Sequence, residues 1–107
     1  MDIGVKYQAI NQKEIDVMVV FTTDGQLGAS DITVLKDDKN FFPSYLCGNV
    51  IRLEVLNKHP ELKDVFENIT NIISDEDMAK MNYMVEAEGK EPREVAKMCL
   101  KNAGLIK

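Results

Sequence analysis

The chain has 107 residues, 45% of them hydrophobic and 29% charged, with a formal net charge of −5. That length sets one small domain, and that composition is ordinary for a soluble globular protein. The acidic balance argues against a nucleic-acid partner or an anionic membrane surface, since either calls for a basic stripe and none is present.

No apolar run approaches the roughly 20 residues that span a bilayer. The opening MDIGVKYQ lacks the charged and apolar regions of a signal peptide. In chain order, residues 5–14 place Val5, Ala9 and Ile10 at helical spacing with Tyr7 on the other flank, which predicts a short helix with a polar outer face. Ile15 to Phe21 (IDVMVVF) is a near-continuous apolar run rich in β-branched residues, the pattern of a strand buried on both faces. Thr22–Gly25 is turn chemistry, marked by Asp24-Gly25. Asp31 to Lys36 alternates as a second strand, DDKN (37–40) breaks it, and a third strand is expected from about Leu46 to Ile51.

Beyond that point the pattern is helical. Pro60 fits a first helical position, followed by a stripe of Leu62, Val65, Phe66, Ile69 and Ile73. Ser74 with Asp77 resembles a capping box, and Met78, Met81 and Val85 form the apolar face of the helix it starts, with Gly89 ending it. Glu91-Pro92 opens the last helix, with Val95, Met98 and Cys99 inward and Gly104 as its stop. The fold class read from this order is α/β, a few-stranded sheet followed by several C-terminal helices. So small a sheet, with a strand buried on both faces, is not self-sufficient.

Chemistry-bearing constellations are sparse. His59 is the only histidine, has no partner at ligand or hydrogen-bond spacing, and reads as a surface residue at a helix start. Met78, Met81, Met84 and Met98 have the spacing of a helix core face rather than of a soft-metal site. Asp75, Glu76 and Asp77 fall in a first helical turn, where carboxylates complement the helix dipole, and they lack the ligand pattern of a calcium loop. Gly25 and Gly28 make no phosphate-binding loop. With no nucleophile and base paired, an enzyme is not indicated, and neither metal nor cofactor is called for. Cys47 and Cys99 read as small buried hydrophobes, with a disulfide between them left open. The aromatics are the remaining signal: Phe21 at the carboxyl end of the buried-type strand and Tyr45 after Pro43. The residues alone leave open whether these are ordinary core or rim rings or a face for a soft cation.

The segment VVFTTDGQLGASDITVLKDDKNFFPSY, with NKHPEL and MNYMVEAEGKEPREVAKMCLKNAGL after it, resembles the C-terminal part of glycine betaine/carnitine/choline ABC-transporter substrate-binding proteins. The resemblance covers essentially the whole chain. It implies a fragment of a two-lobed type II periplasmic-binding fold, with residues 1–35 the end of one lobe and residues 36–107 the crossover and C-terminal helical part of the other. It further implies capture of the trimethylammonium head of an osmoprotectant by an aromatic cage, to which this chain contributes Phe21 and Tyr45, with Thr22, Thr23 and Asp24 as secondary candidates. The family usually has tyrosine where this chain has Phe21, and is alanine- and proline-rich where this chain has Leu46-Cys47-Gly48-Asn49. The implied partners are a quaternary-ammonium ligand and an ABC permease, outside the cytoplasm in the parent protein. An isolated fragment is expected to pair with a second copy or swap elements with it. The alternative is an effector-binding or oligomerisation module of the same fold without a transport role.

Overall fold

The computed structural model describes residues 3–43 and 45–107; Met1, Asp2 and Ser44, the last within the aromatic-proline segment, lie outside that description. The described residues form α1 (Ile3–Asn11), a 3-10 helix (Gly25–Ala29), α2 (Leu53–Lys58), α3 (Leu62–Asn68), α4 (Asp75–Glu86) and α5 (Pro92–Asn102). They divide into two compact units, the described residues of 3–33 with 73–107, and those of 34–72.

The first unit holds α1, the 3-10 helix, α4 and α5, and α4 packs against both the 3-10 helix and α5. Helix α1 closes with a Schellman-type pair of bonds, from Lys13 N–H to Ile10 O and from Glu14 N–H to Ala9 O. Lys13 takes the left-handed conformation (φ 61°) that glycine usually supplies there. Among the described side chains of this helix Tyr7, not Val5, is buried: Tyr7 is 2% exposed and Val5 half exposed. Counting apolar positions places Val5 inside, but the phenol carries more apolar surface and finds a polar partner for its hydroxyl.

Helix α4 starts as its sequence predicts. The Ser74 hydroxyl accepts from Asp77 N–H at 3.1 Å and donates to the Asp77 carboxylate at 2.7 Å. Asp75, Glu76 and Asp77 occupy its first turn, at the positive end of the helix dipole. Met78, Met81 and Met84 are half-buried along it. Helix α5 opens on Pro92 and buries Val95, while Met98, expected inward, is 40% exposed. Gly104, at φ 71°, lets Leu105 N–H reach back to Leu100 O and stop the helix.

The expected sheet is missing from the described residues. No β-strand occurs among the described residues, and Ile15–Phe21, Asp31–Lys36 and Leu46–Ile51 are irregular. Val17 and Val19, expected to be buried on both faces, are 80% and 66% exposed. A strand exists only through the ladder it makes with a neighbour, and none of the three segments finds one.

The second unit holds α2 and α3. The chain enters α3 through a turn in which Leu62 N–H bonds His59 O and Lys63 N–H bonds Pro60 O. Pro60 therefore precedes the helix rather than opening it, since Glu61 is the N-cap. His59 sits at the end of α2, not at a helix start, exposed and 3.2 Å from the Glu61 carboxylate. The stripe from Leu62 ends with α3 at Asn68, short of Ile73. No described residue of this unit is buried. Cys47 is exposed rather than buried, Cys99 is half-buried, and both thiols are free.

Candidate functional site

The turn that carries Phe21 is held by polar contacts on every side. One carboxylate oxygen of Asp24 takes three donors: the Tyr7 hydroxyl at 2.9 Å, the Lys6 ammonium at 3.1 Å and the Phe21 N–H at 3.3 Å. Asp24 N–H in turn donates to Phe21 O at 3.0 Å. Asp24 precedes the 3-10 helix as its N-cap, yet its side chain makes no bond to that helix and turns to α1 instead. It is 9% exposed, the buried charged residue among those described. A carboxylate this enclosed is tolerable only because a cation and two neutral donors meet it.

The neighbouring residues tie the same turn to α4. The Thr22 hydroxyl donates to Asp75 at 2.7 Å, and the Asn82 amide donates to Thr23 O at 2.8 Å. Gly25 is packed so close to α4 that an added Cβ would lie 2.6 Å from Tyr83 N and 2.8 Å from the carbonyl carbon of Asn82. Glycine here permits the approach of two backbones. All four residues of Thr22-Thr23-Asp24-Gly25 thus bind the turn to its flanking helices. Of the three named as secondary ligand candidates, Thr22 engages its hydroxyl, Thr23 its backbone carbonyl and Asp24 its carboxylate in these contacts.

Phe21 emerges from this clamp with 44% of its surface exposed. The Lys6 ammonium lies 5.7 Å from its ring centroid and 5.4 Å from that of Tyr7, within the range of cation–π attraction. Lys6 also donates to Val19 O at 3.0 Å, and its side chain is only 14% exposed. Burial, followed by donation of its hydroxyl to Asp24, pushes the Tyr7 phenol well above its ordinary value, with the charges of Asp24 and Glu86 adding to the effect. Tyr7 is therefore neutral and donating. Beside the turn, a cleft of about 730 Å³ runs between the 3-10 helix and α4, walled by Leu27, Ala79, Tyr83 and Met84 with Glu76 and Lys80 at its edge. Neither Phe21 nor Lys6 lines it.

Tyr45 lies in the second unit, 82% exposed. The segment before it is shaped by Asp37, whose two carboxylate oxygens accept from Phe41 N–H at 3.0 Å and Phe42 N–H at 2.9 Å. These bonds, Phe42 first and Phe41 second, lower the Asp37 pKa below the ordinary carboxylate value. The rings of Phe41 and Phe42 meet edge to face with centroids 5.2 Å apart. Asn40 takes a left-handed turn at φ 50°, which asparagine tolerates. Among the described residues no cluster of histidine, cysteine and carboxylate side chains could hold a metal ion, and no helix is long and apolar enough to cross a membrane. Sequence reasoning missed Lys6, Tyr7 and Asp37; the Asp24-Gly25 turn signal pointed at the place but not at the partners.

Residues 1–102 match the profile of the substrate-binding domain of ABC-type glycine betaine transport systems. The chain is 45% identical over 105 residues to the ergothioneine transport permease/ergothioneine binding protein of Helicobacter pylori (strain G27), which covers 98% of this chain and 19% of that protein. It is 41% identical over 96 residues to a carnitine transport binding protein of Listeria monocytogenes, covering 90% of this chain and 31% of that one. The backbone matches the crystal structure of a glycine betaine/carnitine/choline ABC transporter protein with a TM-score of 0.85 at 43% identity, over 98% of this chain and 39% of that chain. The chain thus spans well under half the length of each of these proteins.

Proposed function

The chain belongs to the family of substrate-binding domains of ABC-type glycine betaine transport systems, and from that membership we propose that it is the C-terminal part of a binding protein that captures quaternary-ammonium osmoprotectants for import. Its role is binding, not catalysis. Phe21 and Tyr45 are two walls of an aromatic cage, and the remaining walls come from chain outside these 107 residues. Phe21 falls in the end of one lobe, residues 1–35, and Tyr45 in the crossover and C-terminal helical part of the other, residues 36–107; lobe closure brings the loaded protein to an ABC permease outside the cytoplasm. Taken alone, the chain leaves large apolar side chains such as Val50, Leu46 and Val17 exposed, which favours pairing with a second copy.

The observation that carries this reading is the ring of Phe21: half-exposed, fixed through its own N–H, and already drawing an ammonium to within 5.7 Å. A ring so placed can share in desolvating a diffuse cation, each such contact being worth roughly 0.5–2 kcal/mol.

Isothermal titration of the polypeptide that carries this chain, with glycine betaine, carnitine and choline, tests the reading. Phe21→Ala and Tyr45→Ala should each weaken binding about 2- to 30-fold, while Tyr45→Phe is much milder because the ring face carries the attraction. Unchanged affinity in both alanine variants would refute the cage.

A further inference from the structure

Asp24 turns its side chain away from the 3-10 helix it precedes, toward Phe21 and α1. Its carboxylate accepts the Phe21 N–H at 3.3 Å, while its own N–H donates to Phe21 O at 3.0 Å. Both polar groups of the Phe21 backbone therefore bond to this one residue. The side-chain bond reaches back three positions, as the last residue of a capping box does. From α1, the Tyr7 hydroxyl at 2.9 Å and the Lys6 ammonium at 3.1 Å brace the same carboxylate oxygen. Tyr7 is 2% exposed, so its hydroxyl would lose this bond without gaining water in exchange. One ammonium meets one carboxylate, and the cluster brings no net charge to the ring. What it supplies to Phe21 is position. A cation–π contact needs the cation over the ring face within about 6 Å of the centroid, and binding groups work only when held to about 0.5 Å. Packing restrains only part of a ring that is 44% exposed.

We infer that Asp24, braced by Tyr7 and Lys6, is the positioning residue of the aromatic wall: it sets where the Phe21 ring stands and does not touch the ligand itself. This rests on the reading of Phe21 as a cage wall. The Asp24 side chain is 8% exposed and its bonded oxygen already holds three donors, which leaves it little to offer a ligand. The bond from Asp24 N–H to Phe21 O survives truncation of the side chain, and the bond from Phe21 N–H does not. Loss of the carboxylate removes that restraint, and the ring then spends less time over the cation.

Calorimetric titration of the polypeptide that carries this chain, with glycine betaine, tests the role through a double-mutant cycle with Phe21. Asp24→Ala should weaken binding about 2- to 10-fold, less than Phe21→Ala, since it can forfeit only part of the ring's contribution. In the Phe21→Ala background the same substitution should change the affinity by less than about twofold. Asp24→Asn keeps a neutral acceptor for Tyr7 and Phe21 N–H and should recover most of the loss. If Asp24→Ala does not fold, Lys6→Met/Tyr7→Phe/Asp24→Leu exchanges the enclosed cluster for apolar side chains of similar volume, which is often neutral for stability. Phe21 N–H still loses its acceptor there, so the same ring-dependent loss is expected. An equal loss with and without the Phe21 ring overturns the inference, because general loosening or a direct effect of charge would give that. Asp24→Asn as damaging as the truncation, or unchanged affinity in whichever variant folds, overturns it too. Phe21→Ala separates this from failure of the underlying reading. If it weakens binding while the Asp24 effect ignores the ring, the cage stands and the role of Asp24 falls. If it leaves the affinity unchanged, the cage falls and the role of Asp24 with it.

Discussion

Two segments of this chain present an aromatic ring, and they do so by opposite means. Around Phe21, the carboxylate of Asp24 is enclosed and takes three donors, while Thr22, Thr23 and Gly25 bind the same turn to α4. Around Tyr45, one fully solvated carboxylate, Asp37, caps two N–H groups, and no described residue of the unit is buried. Enclosure raises the worth of each polar contact and the cost of losing one; exposure lowers both. The first segment is preorganised as part of the folding of its unit. The second is capped locally by Asp37.

The strongest way to break this contrast is Asp24→Ala. It leaves the Tyr7 hydroxyl and the Lys6 ammonium without their shared acceptor in an enclosed site, so it should cost about 3 kcal/mol of stability. Urea unfolding measures it; a loss under about 1 kcal/mol would mean that the Phe21 turn is no better fixed than the Tyr45 loop.

Next in size is Gly25→Ala. The new methyl would meet main-chain atoms of Asn82 and Tyr83 at 2.8 and 2.6 Å, which cannot rotate away as a side chain would. Either the turn or α4 must shift, at about 2 kcal/mol. Gly28, with nothing within 4 Å of its added Cβ, is the control and should tolerate alanine.

What the sequence could and could not disclose divides along the same line. Ser74, Pro92 and Gly104 act within one or two turns of their own position, so their cap roles were readable from neighbours. The apolar run Ile15–Phe21 carries a strand's composition, but a strand needs a partner that these residues do not provide, and the pattern cannot report that lack. Likewise Asp24 could be read as a turn residue and not as the acceptor for Lys6 and Tyr7, 18 and 17 positions away, because a polar contact between distant segments leaves no periodicity behind. The family resemblance, carried by whole motifs, identified the fold's kinship where periodicity stopped.

Alkaline titration sharpens the comparison from the side of Tyr7. Its folded pKa is raised above the unfolded value of about 10, so its contribution to stability is complete below that pH and is lost as the pH rises beyond it. Stability of the first unit should therefore fall above about pH 10, as the phenol is driven toward a form that burial and Asp24 both oppose. Tyr7→Phe, less stable at neutral pH, should lose much of that slope. A wild type and variant with equal slopes would show that Tyr7 ionises freely in the folded state.

The smallest expected effect belongs to Asp37, and it is local. Its folded pKa is lowered, so the order it imposes is present above the ordinary carboxylate value of about 4 and is lost as the pH falls through the folded value. Acidification should therefore release the Phe41 and Phe42 amides before the chain unfolds, since those two N–H groups are what the carboxylate holds. Hydrogen exchange followed by nuclear magnetic resonance reads this directly: protection of these amides should drop with pH. Asp37→Asn should reproduce the low-pH pattern at neutral pH and leave the urea midpoint where it was, because an exposed cap on an unburied segment contributes little to global folding. Loss of protection at Phe21 in that variant would mean that the two aromatic segments are ordered as one, and the contrast between them would fail.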